Sequence, residues 1–495
     1  MTTVTVTKKD EIHLIVDTDP STAKEIVEFF TFEVPGAKFM PSYRNRMWDG
    51  KARLFNMYTR ELYVGLLDYL IEFCEQLEYR MDIQVESSGE DGTVDQVKNF
   101  AGSLNLHSQG TRIDIRDYQI EAVTHAINKG RSLLLSPTAS GKSLIIYSLL
   151  RYHQAHGRKQ LIIVPTTSLV EQMWGDFQDY ASEDKWQANK FCHKIYGGKD
   201  KSNKAAVVIS TWQSIYKFPK SWFEEFDVVY GDEAHNFKAK SLMTLMDKCV
   251  NAKFRIGTTG TLDGTKTHRL VLEGVFGRVH HVTTTKKLID DKQLADLKII
   301  CLLLEYSDQE RKLVSKMPYQ EEMDWLVTNP KRNTVITNLT IAQTGNTLVL
   351  YQFVEKHGAV LYDQISSKVK DGRKVFFVHG GTDTEDREEI RRLTETEKDA
   401  IIIASYGTFS TGINIRNLHN VVFASPSKSR IRNLQSIGRG LRKGGNKTTC
   451  NLFDVGDDLS WKSKKNFTLN HMLERIKIYN EESFAYKIAK VKIDE

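Results

Sequence analysis

Residues 132–152 read SLLLSPTASGKSLIIYSLLRY, and this stretch joins three patterns in one order. The short apolar run SLLL is typical of a buried strand, and the longer apolar run after residue 143 predicts a helix. Between them lies a loop of small residues that ends in Gly-Lys-Ser. Backbone N–H groups in such a loop, together with the N-terminus of the helix, surround phosphate oxygens. The stretch therefore predicts a nucleotide-binding α/β domain, with an ordinary strand-to-helix turn as the alternative.

The loop departs from the pattern G-x-x-x-x-G-K-[ST], because Ser136 occupies the position of the first glycine. We predict that Lys142 contacts the β- and γ-phosphates of ATP and that the Ser143 hydroxyl is a ligand of Mg²⁺. The whole segment is predicted to hold the nucleotide: Ser136, Pro137, Thr138, Ala139, Ser140, Gly141, Lys142 and Ser143.

Composition places the chain among globular proteins with several domains. Its 495 residues exceed what one hydrophobic core organises, so we expect about three domains. Five cysteines lie far apart with no C-x-x-C pair, which indicates a reducing compartment and no zinc site. The sequence shows neither a signal peptide nor a membrane-spanning run, so we expect a cytoplasmic protein that does not contact membranes.

The net charge of +6 is unevenly spread along the chain. Residues 1–110 carry 11 Lys and Arg against 18 Asp and Glu. Inside this acidic part, residues 38–60 hold six basic residues and one acidic residue, and we call this segment the basic island. A solvated surface is the plain interpretation of such a segment, and polyanion binding is the sharper one. We predict nucleic-acid contacts, with phosphates or stacked bases, at Arg44, Arg46, Trp48, Lys51 and Arg53.

The spacing of hydrophobic residues differs from one part of the chain to the next. Residues 1–110 predict a small α/β unit, with strands such as HLIVD (13–17) and YRMDIQV (79–85). Short runs rich in Ile and Val then alternate with helical patterns, first from residue 111 and again after residue 300, which predicts two parallel-sheet α/β domains. We place boundaries at 1–110, 111–285, 286–460 and 461–495. Two helical stripes are predicted in the last segment, the second at Phe484, Ile488 and Val491.

Two further segments carry chemistry. VVYGDEAH (228–235) ends a predicted buried strand in two carboxylates, about 90 residues after the phosphate loop. We predict that Asp232 holds Mg²⁺ and that Glu233 polarises the attacking water. RIRNLQSIGRGLRKGG (430–445) predicts one helical face that presents Gln435, Arg439 and Arg442, with a basic surface helix as the alternative.

In their order and spacing, these segments resemble the superfamily two helicases over about residues 111–460. RDYQ (116–119), PTTSLVEQ (165–172), STWQS (210–214), DEAH (232–235), GTTGT (257–261), YGTFSTGINI (406–415) and QSIGRGLR (435–442) stand where that family has its motifs. The family's phosphate loop is usually A-P-T-G-S-G-K-[ST], so Ala139 must adopt a backbone geometry that glycine accepts freely. The resemblance implies two tandem RecA-like domains, preceded by the small α/β domain and followed by a helical tail.

The resemblance also implies roles for individual residues. Nucleotide contacts are expected at Arg116 and Gln119, where Gln119 reads adenine, and at Gly412 and Asn414. Nucleic-acid backbone contacts are expected at Thr166, Thr167, Ser210, Thr211, Ser410 and Thr411. Coupling of ATP hydrolysis to movement on nucleic acid is expected at His235, Thr259 and Thr261. Arg439 and Arg442 occupy the arginine-finger positions.

The N-terminal segment YRNRMWDG extends the resemblance to a phage-encoded branch of these helicases. This branch implies an ATP-dependent, 3′-to-5′ motor that remodels branched DNA and R-loops in recombination, repair and replication. It implies a host cytoplasmic monomer with ATP and Mg²⁺ as cofactors, DNA or RNA–DNA hybrids as substrate, and recombination or single-strand-binding proteins as partners. An ATP-dependent nucleic-acid clamp, an RNA-remodelling helicase and the motor subunit of a nuclease remain as alternatives.

Overall fold

The computed structural model of the chain describes residues 2–197, 200–202, 204–370, 372–412, 415, 417–444 and 447–493, with the backbone alone at 384, 388 and 410–412. The chain divides into two compact units. The first contains residues 1–136 and 141–283, and the second contains residues 137–140 and 284–495. The four-part division that we infer from the sequence, with boundaries after 110, 285 and 460, stays a prediction.

The N-terminal part of the first unit is a small α/β fold. Its strands are β1 (Thr3–Lys8), β2 (His13–Asp17), β3 (Thr31–Glu33), β4 (Lys51–Arg53), β5 (Glu61–Tyr63) and β6 (Arg80–Gln84). The strands order as β5-β2-β1-β6 in one sheet, and β3 pairs with β4 in a separate antiparallel ribbon. Helices Pro20–Phe29 and Leu67–Gln76 bury their apolar faces against the sheet, so the predicted α/β character and the strands at 13–17 and 79–85 are confirmed.

Short elements complete this fold and lead from it to the rest of the first unit. They comprise the 3₁₀ turns Ala37–Phe39 and Val64–Leu66, the helices Pro41–Arg44 and Val94–Ser103, and a two-stranded antiparallel pair, β7 (His107–Ser108) with β8 (Thr111–Arg112).

The larger sheet of the first unit has seven parallel strands in the described residues. They are β9 (Arg131–Leu135), β10 (Gln160–Val164), β11 (Cys192–Ile195), β12 (Val207–Thr211), β13 (Val228–Asp232), β14 (Phe254–Thr259) and β15 (Val279–His281), in the order β11-β12-β10-β13-β14-β9-β15. Helices accompany them at Asp117–Lys129, Lys142–Ala155, Thr167–Tyr180, Ala188–Phe191, Trp212–Ile215, Lys220–Phe223, Lys240–Met246 and Lys266–Phe276. The central strands are buried throughout, as their unbroken apolar runs predict.

The second unit repeats this architecture in its described part. Its strands are β16 (Asp296–Glu305), β17 (Thr347–Tyr351), β18 (Val375–Val378), β19 (Ile401–Ser405), β20 (Asn420–Phe423), β21 (Thr449–Asp458) and β22 (Tyr486–Lys492), in the order β18-β19-β17-β20-β21-β16-β22. Its helices are Thr285–Asp290, Asp308–Val314, Tyr319–Thr328, Pro330–Ala342, Val354–Ala359, Val360–Lys368, Thr384–Thr396, Tyr406–Gly412, Arg430–Gly440 and Phe467–Glu481. Two tandem parallel sheets are thereby confirmed.

The end of the chain differs from the helical tail that we predict. Helix Phe467–Glu481 forms, but the second stripe is wrong, because Tyr486–Lys492 is strand β22 and pairs in parallel with β16 at the sheet edge. Three apolar residues spread over eight positions fit the period of a helix as well as that of a strand. Backbone hydrogen bonds to β16 decide the outcome, and Phe484 and Val491 still pack inward while Ile488 stays 55% exposed.

Within the first unit, the helix Lys266–Phe276 belongs to two cores at once. Leu272 and Phe276 lie in the core of the seven-stranded sheet, whereas Leu270 is 3% exposed and lies in the core of the small N-terminal sheet. Gly65 touches the same helix so closely that a Cβ there would lie 2.0 Å from the Glu273 carbonyl oxygen. The small N-terminal fold is therefore built directly onto this helix.

Replacing Leu270 by alanine should weaken this joint. Removal of a buried Leu side chain typically costs about 2–5 kcal/mol of stability, because it leaves a cavity. We expect Leu270→Ala to speed native-state hydrogen exchange in β1, β2 and the helix Lys266–Phe276 together. Leu77→Ala is the matched control, since Leu77 is 45% exposed, and it should change stability by less than about 0.5 kcal/mol. Equal effects of the two variants would contradict the shared core.

Candidate active site

The phosphate loop lies between β9 and the helix Lys142–Ala155, so the predicted order of strand, loop and helix is confirmed. The Ser136 N–H donates to the Thr259 carbonyl at 2.9 Å, which ties the start of the loop to the end of β14. The Ser140 hydroxyl donates to the Pro137 carbonyl at 2.5 Å and closes the loop on itself. Hydrogen bonds within the chain thereby fix the start of the loop and its internal turn.

Two loop residues adopt left-handed backbone conformations. Ala139 has φ +67° and Gly141 has φ +82°, so the prediction that Ala139 must adopt a glycine-like geometry is confirmed. For an L-residue this conformation costs about 1–2 kcal/mol. Gly141 is under a second constraint, because a Cβ there would lie 2.3 Å from the Gln119 amide nitrogen. The left-handed geometry is thus tolerated at Ala139, whereas a side chain at Gly141 would also have to displace the buried Gln119 amide.

Gln119 lies directly against the loop. Its side chain is 3% exposed and its Oε1 accepts the Arg116 N–H at 2.9 Å, where the helix Asp117–Lys129 begins. The Arg116 guanidinium donates to the Tyr118 hydroxyl at 2.8 Å. The structure therefore brings Gln119 and the loop together, as a nucleotide pocket requires, while adenine recognition by Gln119 and contact by Arg116 stay predictions.

Two carboxylates follow β13 on the same edge of the sheet as the phosphate loop. Asp232 Oδ1 accepts the Thr258 hydroxyl at 2.9 Å, across the β13–β14 register that pairs these residues. Glu233 adopts a left-handed backbone, with φ 50° and ψ 50°, and its Oε1 lies 3.8 Å from Lys142 Nζ. A strained residue of this kind persists where the surrounding structure holds it, and such residues concentrate at active sites.

The electrostatics at Asp232 favour a bound cation. Burial and the neighbouring Glu233 charge raise the pKa of Asp232 to about 6, and Lys142 and the Thr258 hydrogen bond offset this only in part. Mg²⁺ is typically held by one or two carboxylates together with substrate phosphates. Within the described part of the chain, no group of three or more His, Cys, Asp or Glu side chains is arranged to hold a metal ion by itself. The buried carboxylate therefore fits Mg²⁺ that is bound together with a nucleotide.

Ser143, the other predicted Mg²⁺ ligand, has a partner that sequence reasoning missed. Its hydroxyl lies 2.8 Å from the hydroxyl of Tyr180, at the end of the helix Thr167–Tyr180. Burial raises the pKa of Tyr180, so the phenol stays protonated and is able to donate. No motif marks Tyr180, because it lies 37 residues from Ser143 in the chain. Thr258, the partner of Asp232, stands inside GTTGT and was within reach of sequence reasoning.

The predicted coupling residues form a continuous hydrogen-bonded path. His235 Nδ1 lies 3.0 Å from the Thr259 hydroxyl, and that hydroxyl donates to the Thr261 carbonyl at 3.1 Å. Burial lowers the pKa of His235, although the Glu233 charge acts in the opposite direction, so the imidazole is neutral at pH 7. The contact between His235 and the coupling segment agrees with the predicted role, which itself stays a prediction.

The predicted arginine face of the second unit differs in the structure. Gln435 and Arg439 lie on the helix Arg430–Gly440, but that helix ends before Arg442, so the prediction of one helical face for all three is wrong. The Arg439 guanidinium donates to the Phe409 carbonyl and lies over the ring of the same residue, 5.5 Å from its centroid.

The predicted nucleic-acid contacts fall into three groups. Thr166 caps the helix Thr167–Tyr180, and Thr167 is exposed. Ser210 and Thr211 are buried at the end of β12, and the Ser210 hydroxyl donates to the Ile195 carbonyl at 2.9 Å, which removes these side chains from the surface where we predict them. Ser410 and Thr411 lie at the end of the helix Tyr406–Gly412, where the structure describes the backbone alone. The same holds for Gly412, a predicted nucleotide contact, and Asn414, the other predicted nucleotide contact of this segment, lies outside the described residues.

The basic island forms an exposed surface with a wide cavity. A space of about 610 Å³ is lined by Lys38, Tyr43, Arg44, Arg46, Met47, Trp48 and Asp49. Trp48 is half-buried, and its indole N–H donates to the Lys51 carbonyl at 2.9 Å. Arg44, Arg46, Lys51 and Arg53 are exposed, although Arg53 pairs with Asp49 at 2.5 Å. The island therefore presents both cations and an aromatic face to solvent.

Together, two RecA-like sheets, a phosphate loop, a DEAH tetrapeptide beside a coupling segment, and a helix with the arginine-finger signature define a superfamily two helicase. Three family models match the chain in agreement with this class. "DNA helicase UvsW, N-terminal" matches residues 3–84, "Type III restriction enzyme, res subunit" matches 112–264, and "Helicase conserved C-terminal domain" matches 330–444.

The chain is 36% identical to the ATP-dependent DNA helicase UvsW of Enterobacteria phage T4, over 98% of both chains. The crystal structure of T4 UvsW matches with a TM-score of 0.53 and 34% identity, over 99% of this chain and 100% of that one. The protein belongs to the superfamily two helicases, in the branch that contains UvsW, and it is an ATP-driven helicase enzyme.

More distant relatives share the motor part. The chain is 22% identical to the DNA 3′-5′ translocase XPB2 of Sulfurisphaera tokodaii, over 70% of this chain and 82% of the relative. The restriction-modification enzyme LlaBIII shares the fold, with a TM-score of 0.57 and 17% identity over 77% of this chain and 32% of that one. Among the residues that the structure describes, no helix has the length and apolar composition needed to span a bilayer.

Replacing Asp232 by asparagine should stabilise the fold while abolishing ATP hydrolysis. A carboxyl group whose pKa is raised on folding destabilises the native state, because the unfolded state loses its proton first. This destabilisation grows as the pH rises from the unfolded-state pKa to the folded-state pKa, which is about 6 for Asp232. We expect Asp232→Asn to gain about 2 kcal/mol at pH 8, with the gain lost below about pH 4. Thermal unfolding between pH 4 and pH 8 measures this.

Asp114→Asn removes an exposed carboxylate from the same unit and is the matched control for Asp232→Asn. Its unfolding midpoint should differ little from that of the unchanged protein at every pH. A pH-independent effect of Asp232→Asn, or a loss of stability at pH 8, would contradict the buried-charge account.

Proposed function

We propose that the protein is an ATP-dependent DNA motor that remodels branched DNA, such as junctions, forks and R-loops, in recombination, repair and replication. One observation carries the proposal: Lys142 and Glu233 meet beside a hydrogen-bonded coupling segment, in a chain similar to a DNA helicase along 98% of its length. Movement in the 3′-to-5′ direction is supported by the similarity to a relative named a DNA 3′-5′ translocase. We further propose that it acts as a monomer in the host cytoplasm, with recombination or single-strand-binding proteins as partners.

At the ATP site, each side chain has a proposed task. Lys142 binds the β- and γ-phosphates, and Ser143 and Asp232 would hold Mg²⁺, which supplies positive charge to the phosphate oxygens. Glu233 orients the attacking water and accepts its proton as the bond to the leaving ADP oxygen breaks. The γ-phosphate is contacted by Gln435, Arg439 and Arg442. The guanidinium groups of the two arginines stabilise the negative charge of the transferred phosphoryl group.

The first test is ATP turnover by the full chain without nucleic acid and with single-stranded DNA, duplex, a forked or four-way junction, an RNA–DNA hybrid and RNA. We expect branched DNA to stimulate turnover most strongly. Lys142→Ala should reduce turnover by 10² or more in every condition, because it removes a phosphate contact of the transition state. Lys185→Ala, at an exposed position of the same unit, is the control and should behave as the unchanged chain. Equal, weak turnover with all nucleic acids would contradict the motor and favour an ATP-dependent clamp.

We also propose that the basic island holds DNA outside the motor sheets. Its exposed Lys and Arg side chains are suited to bind DNA phosphates. Tyr43 and Trp48 line the same cavity as several of these cations and could stack on bases. The acidic remainder of the N-terminal part makes nonspecific attraction unfavourable elsewhere on this small fold. The island therefore concentrates the electrostatic attraction on one surface.

Removing four island charges should weaken DNA binding and its dependence on salt. For duplex DNA the logarithm of the binding constant falls linearly with the logarithm of the salt concentration. Each lost phosphate contact reduces the steepness of this fall by about 0.9. We expect the variant Arg44→Ala, Arg46→Ala, Lys51→Ala and Arg53→Ala to lower the slope by about 2–4, while ATP turnover without DNA stays unchanged. The matched control removes four exposed lysines outside the island: Lys24, Lys98, Lys129 and Lys190. An equal loss of slope in the control would show that only net charge matters.

A further inference from the structure

A cluster of three charged or titratable side chains lies next to the ATP site and belongs to none of the helicase signatures. Asp263 Oδ2 accepts a hydrogen bond from Lys238 Nζ at 2.5 Å and pairs with His268 Nδ1, and Lys238 Nζ lies 3.2 Å from the same His268 nitrogen. The other oxygen, Oδ1, accepts the Thr265 N–H at 3.0 Å and the Thr265 hydroxyl at 2.8 Å. Both carboxylate oxygens of Asp263 are therefore engaged.

The Asp263 charge is held in place by these contacts. Partial burial raises the pKa of the carboxyl group, but the hydrogen bonds from Lys238, Thr265 and His268 outweigh burial and keep the pKa well below its usual range. The side chains of Lys238 and Asp263 are 33% and 22% exposed, so the pair is only partly screened by solvent. Charge-assisted hydrogen bonds of this kind are stronger than neutral ones.

The cluster joins two segments of the ATP site. Lys238 follows the DEAH tetrapeptide by three residues, after the 3₁₀ turn Ala234–Asn236. Asp263 follows Thr261 of the coupling segment by two residues. Glu233, at the start of the first segment, has the strained backbone described above. The contact between Lys238 and Asp263 therefore links the segment after the DEAH tetrapeptide to the segment after Thr261.

On its other side, the cluster is attached to the helix that carries the N-terminal fold. His268 lies on the helix Lys266–Phe276, which starts directly after the turn held by Asp263. At its first turn, the Thr267 hydroxyl donates to the Glu33 carbonyl at 3.1 Å, and Lys266 Nζ lies 5.4 Å from the centroid of the Phe32 ring. One turn later, Leu270 enters the N-terminal core.

The contacts of that first helical turn reach the basic island. Phe32 and Glu33 belong to β3, and in the β3–β4 ribbon Glu33 pairs with Lys51 and Thr31 pairs with Arg53. Lys51 and Arg53 are two of the proposed DNA-binding cations. Hydrogen bonds and ion pairs thus connect the DEAH segment, Lys238, Asp263, the helix Lys266–Phe276 and the island ribbon, all inside the first unit.

We propose that Asp263 is a positioning residue that couples the nucleotide state of the ATP site to the grip of the basic island on DNA, through its contacts with Lys238 and His268. The proposal rests on the proposed function, because it takes the island as a DNA contact. Coupling between two sites needs a continuous set of packed and hydrogen-bonded groups, and here one short set exists. By linkage, DNA on the island changes the affinity of the ATP site by the same factor as ATP changes the affinity for DNA.

The test measures the dissociation constant of the full chain for forked DNA, without nucleotide and with a saturating non-hydrolysable ATP analogue. The ratio of the two constants is the coupling factor, which lies between about 5 and 150 in typical cases. We expect Asp263→Asn to bring the ratio to within about twofold of one, while ATP turnover without DNA stays close to that of the unchanged chain. Lys238→Gln should do the same, and Lys238→Arg, which retains the charge, should keep most of the coupling.

A double-mutant cycle separates coupling from simple loss of structure. If Lys238 and Asp263 act through their contact, the combined Lys238→Gln and Asp263→Asn variant should lower the ratio no further than either substitution alone. Glu72→Gln is the matched control, because it removes an ion pair to Arg278 that also joins the N-terminal fold to the first motor sheet, away from the cluster. It should leave the ratio unchanged, and thermal unfolding of every variant reports any damage to the fold.

The island variant shows which DNA contact is coupled. In the chain that lacks the four island charges, Asp263→Asn should no longer change the ratio. The proposal is overturned if Asp263→Asn leaves the ratio unchanged, if Glu72→Gln lowers it equally, or if Asp263→Asn lowers it equally without the island. These results differ from a failure of the proposed function, in which the unchanged chain itself shows no DNA-stimulated turnover.

Discussion

Parallel pairing of β14 between β9 and β13 is the constraint on which the active site depends. In a parallel sheet all strands end at the same edge, so the loops that follow three adjacent strands must meet there. The register pairs Asp232 with Thr258 and Thr259 with Leu135, the last residue before the phosphate loop. One strand thereby holds the DEAH carboxylate on one side and the phosphate loop on the other, and its own continuation is the coupling segment.

This arrangement carries local costs that the rest of the first unit offsets. Asp232 is buried beside a second carboxylate, and Glu233 and Ala139 have left-handed backbones. Each feature is unfavourable in isolation, by about 1–3 kcal/mol for a strained backbone position. The central strands of the sheet are fully buried and lie in a close-packed apolar core, which resists the displacement of these groups. Stability and the proposed function are therefore opposed at the positions that we propose to bind phosphate and metal.

The small N-terminal fold is an integral part of the first unit. Leu270 lies in its core, Gly65 touches the backbone of the same helix, and the buried Arg131 of β9 pairs with Glu11 from the turn between β1 and β2 at 2.9 Å. Removing one partner of a buried ion pair is costly, because it leaves an uncompensated charge. The basic island and the DEAH and coupling segments are consequently parts of one compact unit, joined by packed side chains and a buried ion pair.

The sequence by itself determined the class of fold and the identity of the ATP-site groups, because both depend on local patterns. Unbroken Ile and Val runs predict buried parallel strands wherever they occur, and the spacing of SPTASGKS and DEAH places them after such strands. Only the tertiary structure decided that Tyr180 meets Ser143, since Tyr180 ends a helix 37 residues away, and that Lys238 meets Asp263, since these two lie 25 residues apart. The tertiary structure also decided the conformation or burial of segments whose sequence pattern fits more than one structure. Backbone pairing with β16 makes Tyr486–Lys492 a strand, burial removes Ser210 from the surface, and the helix end at Gly440 separates Arg442 from Arg439.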